Sequence, residues 1–386
     1  MKTEDTTRLL KPYTIWVLAP YLESADPNIQ HYYDFTQSIT EYTKVFEELK
    51  ADWKWQPVTM KDYKKVIKSI EQSANGKLPL VLNLCDGDEI NGTPGVSVIH
   101  ELDRHGIIYT GSDDHFYNVT TSKIPMKKAF DKAKVATANW RVISANKGSI
   151  KGICKRVGTP IIIKPAVSGG SMGVSVKNVV HTEEELASRM HEIEKGYHGW
   201  NLLADGLFVE QFITGPEFTT FITGSSTDPD NCTVYEPVER VFHKSLPDNE
   251  KFLSFGRLWE IYDDETPMPE NENFYEYFPV DKSLVNKLKK LSLDAYRSCG
   301  GMGYARLDIR MDQATGKLYM LEVNAQCGLS EDENYTSIGA ILRVSNKSFT
   351  HIVVEILKDA LRRSMVKKED TIKPRAARAK KTIAVK

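Results

Sequence analysis

Residues 303–328 read GYARLDIRMDQATGKLYMLEVNAQCG, and the alternation inside this stretch decides the fold. Tyr304, Arg306, Asp308 and Arg310 alternate with Ala305, Leu307, Ile309 and Met311, the two-residue period of a half-buried strand. Asp312 to Lys317 reads as a turn. On the returning strand Glu322 and Asn324 share one side, while Tyr319, Leu321 and Val323 share the other. An antiparallel pairing therefore brings Arg306, Asp308, Glu322 and Asn324 together, a cation beside an oxygen-rich cluster. Hard oxygen ligands suit magnesium, which takes one or two protein carboxylates and fills its other positions with phosphate oxygens and water. The competing reading is a surface hairpin with ordinary salt bridges. An apolar strand ending in Glu322-Val323-Asn324 is more than a solvated turn needs.

With 386 residues the chain is long enough for two or three domains. Its 51 Lys and Arg against 52 Asp and Glu create no overall field for nucleic acid or an anionic membrane. Cys85, Cys154, Cys232, Cys299 and Cys327 are scattered and odd in number, without metal-ligand spacing, which fits a reducing compartment. The polar amino terminus and the absence of any long apolar run predict a cytoplasmic protein that spans no membrane.

From Tyr13 to Ser112 apolar strands alternate with amphipathic helices, the pattern of a parallel sheet with crossover helices. Tyr13–Leu18 and Pro79–Leu84 read as strands; Phe35, Ile39, Tyr42, Phe46 and Leu49 recur at helical spacing, and a second helix is expected over 62–74. The strand ending at Leu84 runs into Cys85-Asp86-Gly87-Asp88-Glu89, an acidic turn at the carboxyl end where open α/β sheets place their sites. Further on, Ile161–Ile163 delivers Lys164, and then come Ser168, Gly169, Gly170, Ser171, Met172 and Gly173, followed by a strand-like Val174–Val176. Three glycines let backbone N–H groups approach an anion, although no GK[ST] follows. Leu207–Glu210 is another strand ending in an acid, and Glu217 opens the next.

Taken in order, IIIKP with SGGSMGVS, LFVEQFITGPEFT, GYARLDIR and LEVNAQCG resemble the D-alanine:D-alanine ligase-like branch of the ATP-grasp enzymes over roughly Leu80 to Leu342. The resemblance implies a mixed α/β and α+β protein. Its domains would be an N-terminal Rossmann-like parallel-sheet domain (1–112), a central subdomain with the glycine-rich loop (113–206), a C-terminal subdomain with the metal site (207–365) and a basic, disordered tail (366–386). It also implies ATP-dependent joining of a small-molecule carboxylate to an amine through an acyl phosphate, with magnesium, or manganese in its place. Lys123, Lys164 and the loop Ser168–Gly173 then contact nucleotide, Glu210 lies beside the adenine and Glu217 beside the ribose. Asp308, Glu322 and Asn324 hold the metal. Arg306 and the Gly328 N–H stabilise charge on the reacting carboxyl, and Arg257, with Lys251 behind it, supplies a phosphate-binding cation from the segment His243–Asn273. A homodimer is compatible with this reading, and nucleic acid is not among the expected partners.

Two departures separate the chain from a D-alanine ligase. Where that branch carries a glycine- and serine-rich motif with a glutamate, residues 19–27 read APYLESADP, so that only Glu23 is at hand. After Gly328 stand Leu329, Ser330, Glu331, Asp332 and Glu333 in place of small and hydroxyl residues, and at least one of these acids is expected to border the amine. The alternatives kept beside the amino-acid-derived amide ligase are a true D-alanine:D-alanine ligase and a nucleotide-binding regulatory protein with a decayed ligase fold.

Overall fold

The computed structural model describes residues 3–22, 34–73, 76–144, 150–196, 199–258, 265, 268–269, 272–334 and 336–381. Glu23 lies outside them.

The first sheet contains β1 (Tyr13–Pro20), β2 (Asp52–Val58), β3 (Leu78–Asn83) and β4 (Ile108–Tyr109), all parallel in the order β2-β1-β3-β4. Both faces of β1 are buried, as a parallel sheet covered by helices requires. Ile15 and Val17 pack with Tyr42, Val45 and Phe46 of the helix Thr36–Glu48. Trp16 and Leu18 pack with Tyr63, Ile67, Ile99 and Leu102 on the other side. β2, DWKWQPV, is an edge strand that the sequence reading passed over: only Val58 in it is buried, and Pro57 weakens its strand signal.

The second sheet, β5 (Trp140–Ile143), β6 (Ile161–Pro165), β7 (Val179–Val180) and β8 (Leu207–Gln211), is antiparallel in the order β5-β8-β6-β7. Val174–Val176 is not a strand. Asn178, fully buried, donates to Ile163 O (2.7 Å) and Gly173 O (2.9 Å), and this curls the chain into a short 3-10 turn before β7 begins.

The third sheet comprises β9 (Glu217–Thr223), β10 (Thr233–Val234), β11 (Val238–Phe242), β12 (Tyr275–Pro279), β13 (Tyr304–Met311) and β14 (Leu318–Ala325), again antiparallel. Ala305, Leu307, Ile309 and Val323 pack on the helix Lys282–Ser298, which leaves the polar face of β13 and β14 toward the cleft. The pairing sets Arg306 opposite Asn324 and Asp308 opposite Glu322, then slips so that Ile309 faces Met320. Leu321 is the extra residue of this bulge, so it lines the cleft instead of packing inward with Val323, and Met320 takes the core position.

The last helix runs Phe349–Lys381. Its Phe349, Ile352, Val353, Ile356 and Leu357 share one core with Ile15 and Leu80 of the first sheet and with Phe221 and Tyr304 of the third. The segment expected as a disordered tail continues this helix as far as Lys381, because its alanines, lysines and arginines are good helix formers; residues 382–386 lie outside the described ones. All five cysteines are free. No helix among the described residues is long and apolar enough to cross a membrane.

Candidate active site

The carboxyl ends of the first sheet, the second sheet's glycine loop and the polar face of the third sheet enclose one cavity of about 830 Å³. Lys123, Lys164, Ser168 to Met172, Glu210, Glu217, Arg306, Asp308, Glu322, Asn324 and Gly328 all line it. Gly173 closes the loop just behind, at φ +72°, where an added Cβ would meet Leu202 at 2.8 Å.

Two carboxylates and a carboxamide converge on the third sheet. Asn324 Nδ2 stands 3.3 Å from Asp308 Oδ2 and 3.1 Å from Glu322 Oε1, and Thr219 Oγ1 donates to Asp308 Oδ1 at 2.8 Å. Arg306 Nε lies 3.3 Å from Asp308 Oδ2. Burial pushes the Asp308 carboxyl up against the pull of Arg306 and Arg240, whereas at half-buried Glu322 the desolvation is outweighed by Lys123 and Arg306, which hold it down at about 2. Among the described residues no cluster of three or more His, Cys, Asp or Glu is placed to hold a metal ion. What exists is a two-carboxylate platform open to the cavity. That donor set fits a hard divalent cation that completes its shell with phosphate oxygens and water, and such an ion would relieve the juxtaposed anions.

The flanking charges form chains. Lys123 Nζ donates to Ser168 O (2.9 Å), tying the first turn of its helix to the glycine loop, and lies 3.6 Å from Glu322 Oε2. One turn on, Lys127 meets Glu210 Oε2 at 2.6 Å, while Lys164 meets Glu210 Oε1 at 2.8 Å. Lys127, only 1% exposed, was missed in the sequence; its position four residues after Lys123 puts it on the same helix face, and that spacing was the available signal. Burial raises the Glu210 carboxyl, but the two ammonium groups outweigh it and hold it at about 2. Burial also draws Lys127 down. The direction on Glu210 governs the group, because two cations face it.

This has a measurable consequence. A carboxyl depressed in the folded state adds stability above its unfolded value near 4.5 and loses it as pH falls toward about 2. Glu210→Gln should lower stability at pH 7 by about 3–5 kcal/mol, since it leaves Lys127 buried without a counter-ion. Chemical unfolding from pH 7 down to pH ~2 should show the wild-type advantage shrinking over that acid range. An advantage constant with pH would exclude the ion pair as its source.

Glu217 is gripped by both Arg240 and Arg310. Arg310 also donates to Ile213 O (3.2 Å) and Lys251 O (2.8 Å), and Arg240 to Tyr277 OH (3.1 Å). Arg310 was legible as the third member of the Arg306 alternation. Arg240 was not, since it meets Glu217 only through the pairing of β11 with β9, 23 residues apart in the chain.

Arg257 does not reach the cavity. It sits on the short helix Phe255–Leu258 with its side chain buried, bonded to Glu250 Oε2 (2.7 Å) and 3.8 Å from Glu265 Oε2. Two glutamates consume its charge. Lys251 pairs with Asp248 at 2.7 Å. The cleft cations contributed by the third sheet are Arg240, Arg306 and Arg310. Several residues of the segment 243–273 lie outside the described ones.

The acids after Gly328 also turn away. Glu331 pairs with Lys44 (3.0 Å), Asp332 receives Gln37 Nε2 (3.4 Å) and the Asn334 N–H (3.0 Å), and Glu333 lies 4.0 Å from Arg343. None lines the cavity, because each finds a partner on a neighbouring helix or in its own turn. Asp34, Asp86 and Asp88 line it instead. Asp34 accepts from Thr36 N–H (2.9 Å) and Asp88 from Asn91 (2.9 and 2.8 Å), while the Asp86 side chain is exposed to the cleft and within electrostatic reach of Arg306.

The family model described as D-ala D-ala ligase C-terminus matches residues 129–358. A D-alanine–D-alanine ligase from Marinobacter nauticus is 28% identical over 263 residues, covering 67% of this chain and 69% of the relative. Another from Xanthomonas axonopodis pv. citri is 26% identical over 287 residues, 73% of this chain and 78% of the relative. Among solved structures, the D-alanine–D-alanine ligase from Bacillus anthracis complexed with ATP has a TM-score of 0.62 at 17% identity, covering 92% of this chain and 99% of that one. The VanG D-Ala:D-Ser ligase from Enterococcus faecalis has a TM-score of 0.62 at 14% identity, covering 90% and 99%.

Proposed function

We propose, since this chain belongs to the D-Ala–D-Ala ligase family and is an ATP-grasp ligase forming carbon–nitrogen bonds, that it joins a small amino-acid-derived carboxylate to an amine through an acyl phosphate. The observation that carries this reading is the single cavity in which Arg306 stands beside the Asp308, Glu322 and Asn324 platform, with Lys123, Lys164 and the glycine loop across from it. A guanidinium beside this platform is more than a nucleotide site alone needs, and it favours the ligase reading over the decayed-ligase alternative.

In the proposed reaction a carboxylate oxygen attacks the γ-phosphorus of ATP, the bond to ADP breaks, and a mixed anhydride forms. The amine nitrogen then attacks the carbonyl carbon, phosphate leaves, and the nitrogen gives up a proton. A magnesium ion held by Asp308, Glu322 and Asn324 would neutralise phosphate oxygens during the transfer. Lys123 and Lys164 lie where they can meet the same oxygens, and Ser168 to Gly173 form the loop that covers them. Glu210 and Glu217 are assigned to the adenine and ribose ends, with Lys127, Arg240 and Arg310 fixing their carboxylates. Arg306 faces the oxygen on which charge gathers as the amine attacks, together with the N–H of Gly328, which lines the same cavity.

For the acceptor, the relatives' names make D-alanine the first amine to try, but the charge in the cleft favours another class. Cavity-lining residues between 22 and 121 include Asp34, Asp86 and Asp88 and no lysine or arginine. Such an end repels a free α-carboxylate and attracts an ammonium, so the proposed acceptor is an amine whose carboxylate is absent or blocked. An ADP-release screen over pairs of amino acids, amino-acid amides and simple amines, with mass detection of product, tests this reading. Wild type should prefer the uncharged-carboxyl amines by tenfold or more, and Asp86→Asn should shrink that preference. Efficient D-alanine dimerisation, unaffected by Asp86→Asn, would instead support the true D-alanine ligase.

A further inference from the structure

Between Asn324 and Gly328 the chain passes through Gln326, whose backbone is left-handed at φ 57° and whose side chain is buried, 1% exposed. Both ends of its amide are spent on backbone groups of the first sheet. Oε1 accepts from the Ser112 N–H at 2.8 Å; Nε2 donates to Asn83 O at 3.0 Å and is 3.4 Å from Cys85 O. Asn83 ends β3, Cys85 opens the turn that carries Asp86, and Ser112 follows β4 by three residues. Gly111 leaves room for the amide, since a Cβ there would come within 2.2 Å of Oε1. Gln326 is absent from the cavity wall although Cys327 and Gly328 are in it.

We propose that Gln326 is a positioning residue: it fastens the Asp86 turn to the strand carrying Arg306's partners, and so fixes where the amine meets the activated carbonyl. The inference rests on the ligase reading above. A left-handed glutamine is held only where its surroundings over-determine it, and here three backbone groups do so. Its side chain spans the seam between the sheet that supplies the acidic turn and the hairpin that supplies the chemistry. The turn has local support of its own, because Asn83 Oδ1 accepts from Cys85 N–H at 3.1 Å and Leu84 N–H bonds Leu18 O at 2.9 Å. Removing the amide should therefore free the turn without unfolding β3.

Gln326→Met keeps the length and deletes every one of these bonds. Gln326→Glu keeps an acceptor for Ser112 while losing the donation to Asn83 and Cys85. The experiment combines amide hydrogen exchange across 83–88 and at Ser112, calorimetric affinity for a non-hydrolysable ATP analogue, and kcat and KM with the amine and carboxylate pair found by the screen. In Gln326→Met, exchange at Ser112 should quicken tenfold or more and KM for the amine should rise at least tenfold. Affinity for the ATP analogue should stay within twofold. Gln326→Glu should restore protection at Ser112 and give an intermediate amine KM.

Faster exchange with an unchanged amine KM would overturn the positioning role. So would an equal loss of nucleotide and amine affinity, which marks a merely structural residue. If Gln326→Met does not fold, the Gln326→Glu comparison decides between the same outcomes. Unchanged exchange in a folded variant would overturn the clamp itself. Absence of turnover by wild type with every pair would overturn the ligase reading and the amine step with it, a failure distinguishable because the exchange result stands apart from activity.

Discussion

Asp308→Asn is expected to leave a folded protein with ligase turnover reduced roughly 100-fold or more, about 2.7 kcal/mol of transition-state stabilisation. Asparagine retains an acceptor for Thr219 Oγ1, whose 2.8 Å bond orients the side chain, so the hairpin should keep its register. What goes is half of the anionic platform, and with it the charge that a divalent cation and its phosphate ligands would meet. Thermal melting within a few degrees of wild type, beside the collapse in ADP release, is the expected pair of results. Undiminished turnover in the folded variant would remove Asp308 from the metal site.

Arg306→Ala is expected to separate the two halves of the reaction. Arg306 is about a third exposed and points into the cavity beside Asp308, whereas Lys123 and Lys164 stand across from it with the glycine loop. Deleting it should leave nucleotide affinity within a few-fold while amide formation falls about 100- to 1000-fold, the scale on which a single donor to a developing oxyanion is felt. Calorimetry with an ATP analogue and product formation by mass spectrometry measure the two separately. Parallel losses would show that Arg306 serves the nucleotide instead.

Much of this face was legible because a strand's period of two needs no tertiary information. Within each strand it pairs Arg306 with Asp308 and Glu322 with Asn324. The two pairs share a side only through the bulge, since the register set at Met311 and Leu318 would otherwise place Leu321 opposite Asp308 and Glu322 opposite Leu307. The bulge was not legible: a slip of one residue at Leu321 follows from packing Met320 on the helix Lys282–Ser298, several segments away. Lys127 and Arg240 escaped notice for a related reason. Their significance lies in the acids they neutralise, Glu210 and Glu217, and those acids are brought opposite them only by sheet pairing and helix packing. Arg257 was the opposite case, an arginine in a promising loop whose charge two nearby glutamates absorb. Glu331, Asp332 and Glu333 were read as bordering the amine from their distance to Gly328 alone, and the helix Thr36–Glu48, which supplies Lys44 and Gln37, could not be seen from there.

The core shared by the last helix with the first and third sheets also bears on mechanics. Those two sheets cannot part without exposing Ile15, Leu80, Phe221, Tyr304 and the helix face that covers them, an apolar seam whose wetting would be steeply unfavourable. The second sheet has a core of its own, drawn from Ile143, Ile161, Ile163, Leu186, Leu207 and Val209. It meets the rest of the molecule through ties such as the Lys127–Glu210 ion pair, the Ser171–Leu253 hydrogen bond and a small apolar cluster of Ile162, Val174, Phe212 and Phe252. The smaller shared seam makes the glycine-loop sheet the part that costs least to displace, whereas the hairpin and the acidic turn are held to each other by the core that the last helix completes.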